Sequence, residues 1–348
     1  MEIVFDFSFS SVLDILSIST AFVLGLLFTS SKTKNRRANI FLGVFLWSLS
    51  LEVLGSFLES VQGISFTVPN TTLFTIPFLL LYVRKSLNLS INFYYLLLFI
   101  PGMIINFYPI GHFIEYLFNI PILVYVLMML KTHRSLLGDY FSALENKTLE
   151  WIKTIIFIFL FFHLLWIVED IVGFQNENIG GYFAITSTIL TFFMIYWIGY
   201  NGFSQPEIFS SLQFQMTAPE ETALTIEEYQ EDNQRFSEMS ATIVERELFK
   251  DPNLDLRSLS DQLGMKEKEV SRLIKSNTQK NFYHYINQFR IEDFKKLLAS
   301  PKASQLSLLG LAMEAGFSSK STFYSVFKNT EGITPKQYQN QLKSPNNG

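Results

Sequence analysis

The sequence predicts an all-α protein: a bundle of seven membrane-spanning helices, followed by a domain of two helix–turn–helix units joined by a long helix. Three observations predict it. Residues 1–202 form a series of long runs rich in Phe, Leu and Ile. Basic residues fall only between alternate runs. Residues 256–348 show one pattern twice: an apolar helix, a glycine, a short turn and a helix with a polar outer face. The 348-residue length leaves room for two or three domains.

Composition narrows the chemistry. Cysteine is absent, which excludes disulfides, thiolate metal sites and thiol catalysis. His112, His133, His163 and His284 lie far apart and show no ligand spacing, so no metal site is expected. No Ser–His–Asp set and no glycine-rich phosphate loop is present, so neither catalytic residues nor a cofactor are expected. The start, MEIVFDFSFSS, has no Lys or Arg, unlike a cleavable secretory signal, so the first apolar run reads as a retained span.

A helix needs about 20 mostly apolar residues to cross ~30 Å of hydrocarbon. Seven runs are placed near 9–29, 39–60, 66–83, 92–109, 113–130, 151–173 and 181–201. Pro77 interrupts the third and Pro101–Gly102 the fourth, which neighbouring helices can accommodate. The first connection holds Lys32, Lys34, Arg36 and Arg37, the third holds Arg84 and Lys85, and the fifth holds Lys131, Arg134 and Lys147, with Lys153 just beyond. The opposite side, including VQGISFTVPN and GFQNENIGG, holds none. A soluble bundle has no reason for that asymmetry, whereas the positive-inside rule requires it. The N-terminus is then outside and the C-terminal region cytoplasmic.

With that topology Asp14, Glu52, Glu59, Glu115, Glu169 and Asp170 all fall in the outer half of the bilayer. Intramembrane acids are costly and often mark a pathway or a pocket. Glu59, Glu115, Glu169 and Asp170 also suit a headgroup boundary. Glu52 lies ~18 Å along its helix from the inner end, at 1.5 Å per residue. The candidate ligand-binding set is Glu52, Glu115, His163, Glu169 and Asp170, for a cationic or polyhydroxyl ligand. Each is also readable as a satisfied polar group.

The expected domains are 1–202, the spans; 203–249, an acidic tether and linker helix; and 250–348, the helix–turn–helix domain. Residues 203–255 carry twelve acids and three bases, a net of −9. Pro206 and Pro219 break the tether. Tyr229, Phe236, Met239, Ile243 and Leu248 then recur at near-helical steps, as a dimer seam or as a stripe packed on the next domain. The second reading is favoured.

Residues 256–348 reverse the charge, with fourteen bases and seven acids, a net of +7. In the first unit LRSLSDQLG ends at Gly264 and KEKEVSRLIKS follows; in the second SLLGLAMEAG ends at Gly316 and SSKSTFYSVFK follows. Val270 and Ile274 of one unit match Phe323 and Phe327 of the other as inward positions. The joining helix, residues 281–300, would be ~30 Å long. That suits two readers set in successive major grooves, ~34 Å apart.

NFYHYINQFRIEDFKKLL followed by AMEAGFSSKSTFYSVFKNTEGITPKQY closely resembles the AraC-type DNA-binding domain. The shared features are Tyr285, Arg290, Leu297, Leu298, Ala312, Gly316, Phe317, Phe323, Phe327, Lys328, Gly332, Thr334, Pro335 and Tyr338. The preceding chain resembles the seven-span sensor region of membrane-bound AraC-type regulators, with TIPFLLLYVRKSL the most similar stretch. The resemblance implies DNA contacts from Lys268, Ser271 and Arg272 in the first reader. In the second it implies Lys320, Ser321, Tyr324 and Ser325, with Ser319 at the start. Arg272 can fork onto a guanine edge, and Lys275 and Lys328 suit phosphates. The sequence departs from the family pattern at Lys266, where a capping Ser is common, at Phe294, where a small residue is usual, and at Gln339, where an Arg is common. The first reader is therefore expected to bind more weakly than the second, or to depend on dimerisation.

The expected function is a sequence-specific DNA-binding transcription regulator of the bacterial cytoplasmic membrane, not an enzyme. Its expected partners are promoter DNA, the lipid bilayer and an unidentified signal ligand. A homodimer partner joins them if the linker helices pair, and RNA polymerase if the protein activates. The competing reading is a membrane transporter or membrane enzyme with an appended DNA-binding head. That reading calls for an inverted repeat or matched broken helices, and no convincing repeat is present. A plain anchor would need only one span.

Overall fold

The computed structural model describes residues 8–32, 35–60, 69, 71–107, 112–144, 148–172, 177–204 and 226–343, and every regular element among them is a helix. Lys34, Lys147, the tether with Pro206 and Pro219, and the Tyr229 side chain lie outside the described residues. The chain forms two compact units: residues 1–131 with 149–214, and residues 132–148 with 215–348.

The first unit is built from α1 (Phe9–Ser30), α2 (Arg36–Ser60), α3 (Thr72–Ser86), a 3-10 helix (Phe93–Phe99) leading into α4 (Ile100–Ile105), most of α5 (His112–Leu137), α6 (Glu150–Val172) and α7 (Glu177–Ser204). The Ser8 hydroxyl opens α1 by accepting from the Ser11 amide at 3.2 Å, which fills one orphan donor of the first turn. Among the described residues five helices, α1, α2, α5, α6 and α7, are long and apolar enough to cross a bilayer, with mean hydropathy between 1.5 and 2.2. The third expected run gives a helix of 15 residues holding Pro77, and the fourth gives the short pair around Pro101. Pro77 lies inside α3 and Pro121 inside α5, so neither proline ends its helix, and most of the third run before Thr71 lies outside the described residues.

This unit places its polarity inside. Phe22, Leu26, Phe157, Leu164 and Tyr200 are exposed, whereas Ser17, Ser48, Thr75, Asn119 and His163 are buried. The Ser48 and Thr75 hydroxyls meet at 2.8 Å, and the Thr71 hydroxyl donates to the Ser48 carbonyl at 2.8 Å, joining α2 to the start of α3. Helices α1 and α2 pack closely because Gly25 and Gly43 face each other: a Cβ on Gly43 would sit 2.7 Å from the Gly25 carbonyl oxygen.

The second unit follows with α8 (Ile226–Glu245), a 3-10 turn (Leu248–Lys250), α9 (Leu256–Leu263), α10 (Glu267–Thr278), α11 (Phe282–Leu298), α12 (Leu308–Glu314), α13 (Lys320–Glu331) and α14 (Pro335–Lys343). The α8 stripe packs within the unit: Met239 and Ile243 are buried in one cluster with Leu259, Val270, Leu273, Ile274 and Ile286, and Phe236 and Leu248 lie against it. A second core surrounds α13, where the Phe294 ring lies 4.6 Å from Phe323 and 5.5 Å from Phe327. Phe294, the departure from the family's small residue, thus fills a position its neighbours leave open.

Helix α11 has 17 residues, which is about 25 Å of rise and shorter than the sequence suggested. The Asn281 side chain caps it by accepting from the His284 amide at 3.1 Å, and Pro301 follows its end. Residues 132–148 fall within the expected 1–202 domain but pack with the C-terminal unit. Phe141 forms an antiparallel bridge with Asp255. The Leu256 amide donates to the Tyr140 carbonyl at 2.8 Å, and the Ser142 amide to the Leu254 carbonyl at 3.2 Å. The Tyr283 amide, at the start of α11, donates to the Gly138 carbonyl at 2.8 Å.

Candidate nucleic-acid interface

Each reader is a helix pair held by its own turn. Helix α9 ends at Gly264 with φ 66°, and α12 leads into Gly316 with φ 96°. Both angles lie in the left-handed region, which favours glycine. The two glycines differ in surroundings. Nothing lies within 4 Å of a Cβ built on Gly264, whereas one on Gly316 would meet the Phe249 carbonyl oxygen at 2.6 Å. Gly316 is therefore required by packing as well as by conformation. Val270, Ile274, Phe323 and Phe327 are all buried, as the repeat implied, with residues at the two core positions 53 apart in the chain and the glycines 52 apart.

The helix starts differ too. The Ser319 hydroxyl caps α13, accepting from the Thr322 amide at 3.2 Å. Lys266 occupies the same place before α10 and makes no side-chain cap bond. Glu267 and Glu269 in the first turn of α10 partly offset this by facing the positive end of the helix dipole.

Most of the residues assigned to DNA contact lie on solvent-facing surface. Lys268, Lys275, Lys320, Ser321, Ser325 and Lys328 are exposed, and Ser271, Ser319 and Tyr324 are half-buried. Lys320 Nζ sits 5.6 Å from the Tyr324 ring centroid, a cation over an aromatic face on one side of α13. Lys295 of α11 bonds both Glu331 carboxylate oxygens, at 3.1 and 3.2 Å, and so ties the joining helix to the end of α13.

Arg272 is exposed as well, but it is held in an ion pair. Its Nη1 and Nη2 donate to the two carboxylate oxygens of Asp232, the second bond at 2.9 Å. Asp232 comes from α8 and is 7% exposed. One turn further along α8, Arg235 Nη1 bonds Glu269 Oε1 at 2.6 Å. The acidic linker helix therefore lies along one side of α10 and engages the side chain best suited to a guanine. Nothing in the sequence pattern pointed to Asp232; only the i, i+3 step between Asp232 and Arg235 hinted that they share a face.

Arg290, one of the shared features named from the sequence, is fully buried in α11, a role the sequence did not show. Its Nε donates to the Phe249 carbonyl at 2.8 Å. Nη1 donates to the Ser142 carbonyl and the Asn287 Oδ1, each at 3.2 Å. Nη2 donates to Ser142 Oγ at 3.0 Å and to the Asp251 carbonyl at 2.7 Å. All five guanidinium N–H groups have acceptors, which is what a buried arginine requires. This one side chain fastens the joining helix to the chain before α9 and to the 138–144 segment.

The candidate ligand set divides. Glu52 and His163 line one cavity of the first unit. Glu115 is buried but does not line that cavity. Glu169 and Asp170 are exposed, and Asp170 accepts from the Tyr116 hydroxyl at 2.8 Å. The cavity also takes Asp14 and Asn119, which the sequence reading had not joined to Glu52.

Two tandem helix–turn–helix pairs on a rigid joint define a class of nucleic-acid-binding domain. Residues 259–341 match the family described as a helix-turn-helix domain, and this region is an AraC-type helix–turn–helix domain. An uncharacterized HTH-type transcriptional regulator of Staphylococcus aureus (strain COL) is 32% identical over 87 residues, 25% of this chain and 11% of that protein. Its counterpart from strain MSSA476 matches with the same identity and coverage. An uncharacterized HTH-type transcriptional regulator from the cgkA 5′ region of Pseudoalteromonas carrageenovora is 30% identical over 101 residues, 29% of this chain and 57% of that protein. The match thus spans about a tenth of the staphylococcal relatives' length and little more than half of the other. No solved structure matches the chain.

Proposed function

We propose that the chain is a membrane-embedded, sequence-specific DNA-binding transcription regulator whose N-terminal unit receives a signal. One observation carries the DNA-binding part: two helix–turn–helix units with matched buried cores and polar outer faces, locked to one helix through Arg290 and the Lys295–Glu331 pair. Membrane embedding is supported by five long apolar helices, by a greasy exterior around buried Ser, Thr and His, and by basic residues restricted to alternate connections. The proposed topology has the N-terminus outside and the readers in the cytoplasm. The proposed partners are promoter DNA, the bilayer and a signal ligand, with a second copy and RNA polymerase as further candidates.

The Asp232–Arg272 contact supplies a control point. A bidentate guanine contact needs two N–H groups of one fork, and Asp232 occupies both terminal nitrogens. Release of Asp232 opens the end-on fork of Arg272 to a guanine edge, while Nε–H and the second N–H of each terminal nitrogen lie outside the pair. A signal acts on this step only to the extent that it binds the two arrangements with different affinity. The chain enters the C-terminal unit twice, at 132–148 and from 215 onward. Either passage can carry a change in α5 or in the linker to the readers.

The test is footprinting of the purified full-length chain in lipid nanodiscs on genomic fragments, repeated across a salt series. Specific protection that weakens steeply with salt supports the reading. Binding no tighter to any fragment than to random duplex sinks it.

A further inference from the structure

The first unit contains a cavity of about 130 Å³ to which six helices contribute: Asp14 from α1, Glu52 from α2, Thr75 from α3, Asn119 from α5, His163 from α6 and Thr188 from α7. No Lys or Arg is among the described residues that line it. The Asn119 side chain is 1% exposed and its Oδ1 has no hydrogen-bond partner. A buried acceptor in that state calls for a donor from elsewhere. Glu52 and His163 add acceptors to it, among lining hydroxyls that can both donate and accept. His163 Nδ1 lies 2.7 Å from the Phe159 carbonyl, so that nitrogen carries the proton and the neutral ring keeps Nε2 as an acceptor. The Thr75 hydroxyl has one proton and three acceptors in reach: Ser48 Oγ at 2.8 Å, the Thr71 carbonyl at 3.1 Å and Glu52 Oε2 at 3.3 Å. Glu52 therefore keeps acceptor capacity that the protein does not fill.

The geometry points to a binding site for a small organic ammonium ion. Two carboxylates, an amide oxygen and an imidazole nitrogen surround the space, and a cation with several N–H groups satisfies them together. The size limits the guest, because an engineered cavity of about 150 Å³ holds one benzene. The wall favours an organic cation over a bare metal ion: Trp166 lines the cavity beside His163, with ring centroids 5.8 Å apart, and aromatic faces attract alkylammonium groups. Hard metal ions instead take six or more oxygens at short range, and among the described residues no group of three or more His, Asp or Glu is placed to hold one. This deepens the sensor reading above and rests on it for the role of the ligand, although the binding itself does not depend on DNA.

The experiment uses the full-length chain in nanodiscs and its own fluorescence. All four Trp, at positions 47, 151, 166 and 197, belong to the first unit, so emission reports that unit alone. Isoamylammonium chloride is titrated beside isoamyl alcohol, its neutral counterpart, and beside sodium chloride at equal ionic strength. The expected result is a saturable emission change and a raised unfolding temperature with the ammonium only. Glu52→Gln weakens it by about tenfold or more, the loss that follows removal of a buried charge partner. Asp14→Asn provides a second carboxylate test should Glu52→Gln fold poorly. An equal response to the alcohol, an equal response to sodium, or no response to the ammonium overturns the assignment. DNA binding is measured on the same sample. Ammonium binding that leaves DNA affinity unchanged supports the site and sinks the sensor reading, whereas specific DNA binding with no ammonium response sinks the site alone.

Discussion

Arg290→Lys keeps the positive charge of α11 but changes the number of donors. Arginine presents five N–H groups here, each with an acceptor between 2.7 and 3.2 Å away. Lysine presents three, so at least two bonds are lost. Hydrogen bonds to a charged group contribute about 1.5–3 kcal/mol each, which gives a gross loss of about 3–6 kcal/mol. Repositioned lysine donors recover part, and the expected net loss is about 3 kcal/mol. Ser142→Ala tests the other end. It deletes the hydroxyl that accepts from Arg290 and donates to the Leu254 carbonyl at 2.5 Å, and is expected to cost about 1–2 kcal/mol. The assay is equilibrium urea unfolding, followed by far-UV circular dichroism, of a single chain in which residues 132–148 are linked to residues 226–348. That unit has no Trp, so fluorescence of the native chain would not report on it. An Arg290→Lys loss below about 1 kcal/mol would refute the argument, because surface substitutions reach only about half of that. A chain of residues 226–348 without the 132–148 segment is expected to be less stable than the linked form.

Three further outcomes are expected. Asp232→Asn frees Arg272 and tightens specific DNA binding about fivefold, from a partly exposed pair contributing about 1 kcal/mol; weaker binding in a gel-shift titration would mean that Asp232 orients Arg272 for the base instead. Gly264→Ala costs about 1 kcal/mol from the left-handed backbone alone, whereas Gly316→Ala costs more than about 3 kcal/mol because its Cβ meets backbone atoms on fixed neighbours; equal losses on urea unfolding contradict the packing argument. Burial raises the Asp139 carboxyl above its ordinary range, with Lys275 pulling it back. A raised carboxyl favours the protonated folded state, so its contribution is greatest at low pH and is lost as pH rises through the folded value. Asp139→Asn should therefore stabilise the C-terminal unit at neutral pH, with the gain fading as pH falls into the carboxylate range.

Much of the C-terminal unit was legible from residues alone. The glycines at 264 and 316, the inward Val270, Ile274, Phe323 and Phe327 and the uncapped Lys266 are local features, and helix periodicity and turn chemistry report them directly, whereas the structure chose Ser319 over Ser318 as the cap of α13. The α8 stripe announced itself but not its partner, since a row of apolar side chains fits any complementary surface. Pro101 stands at the start of the short α4, whereas Pro77 and Pro121 sit inside continuous helices. The ends of α11 fall one or two residues inside the expected bounds, because the capping residues Asn281 and Ala299 flank the helix without belonging to it.

What the amino-acid order determined by itself was the type of each element: apolar length, charge asymmetry, capping and the tandem repeat act over a few residues, so a linear reading captures them. What only the tertiary structure decided were the meetings of distant residues: Asp232 with Arg272, Ser142 with Arg290, and Asp14, Glu52, Asn119 and His163 around one cavity. These contacts join positions tens to hundreds of residues apart. They form because buried donors, acceptors and charges must find partners in three dimensions, a requirement that leaves no periodic mark on the chain.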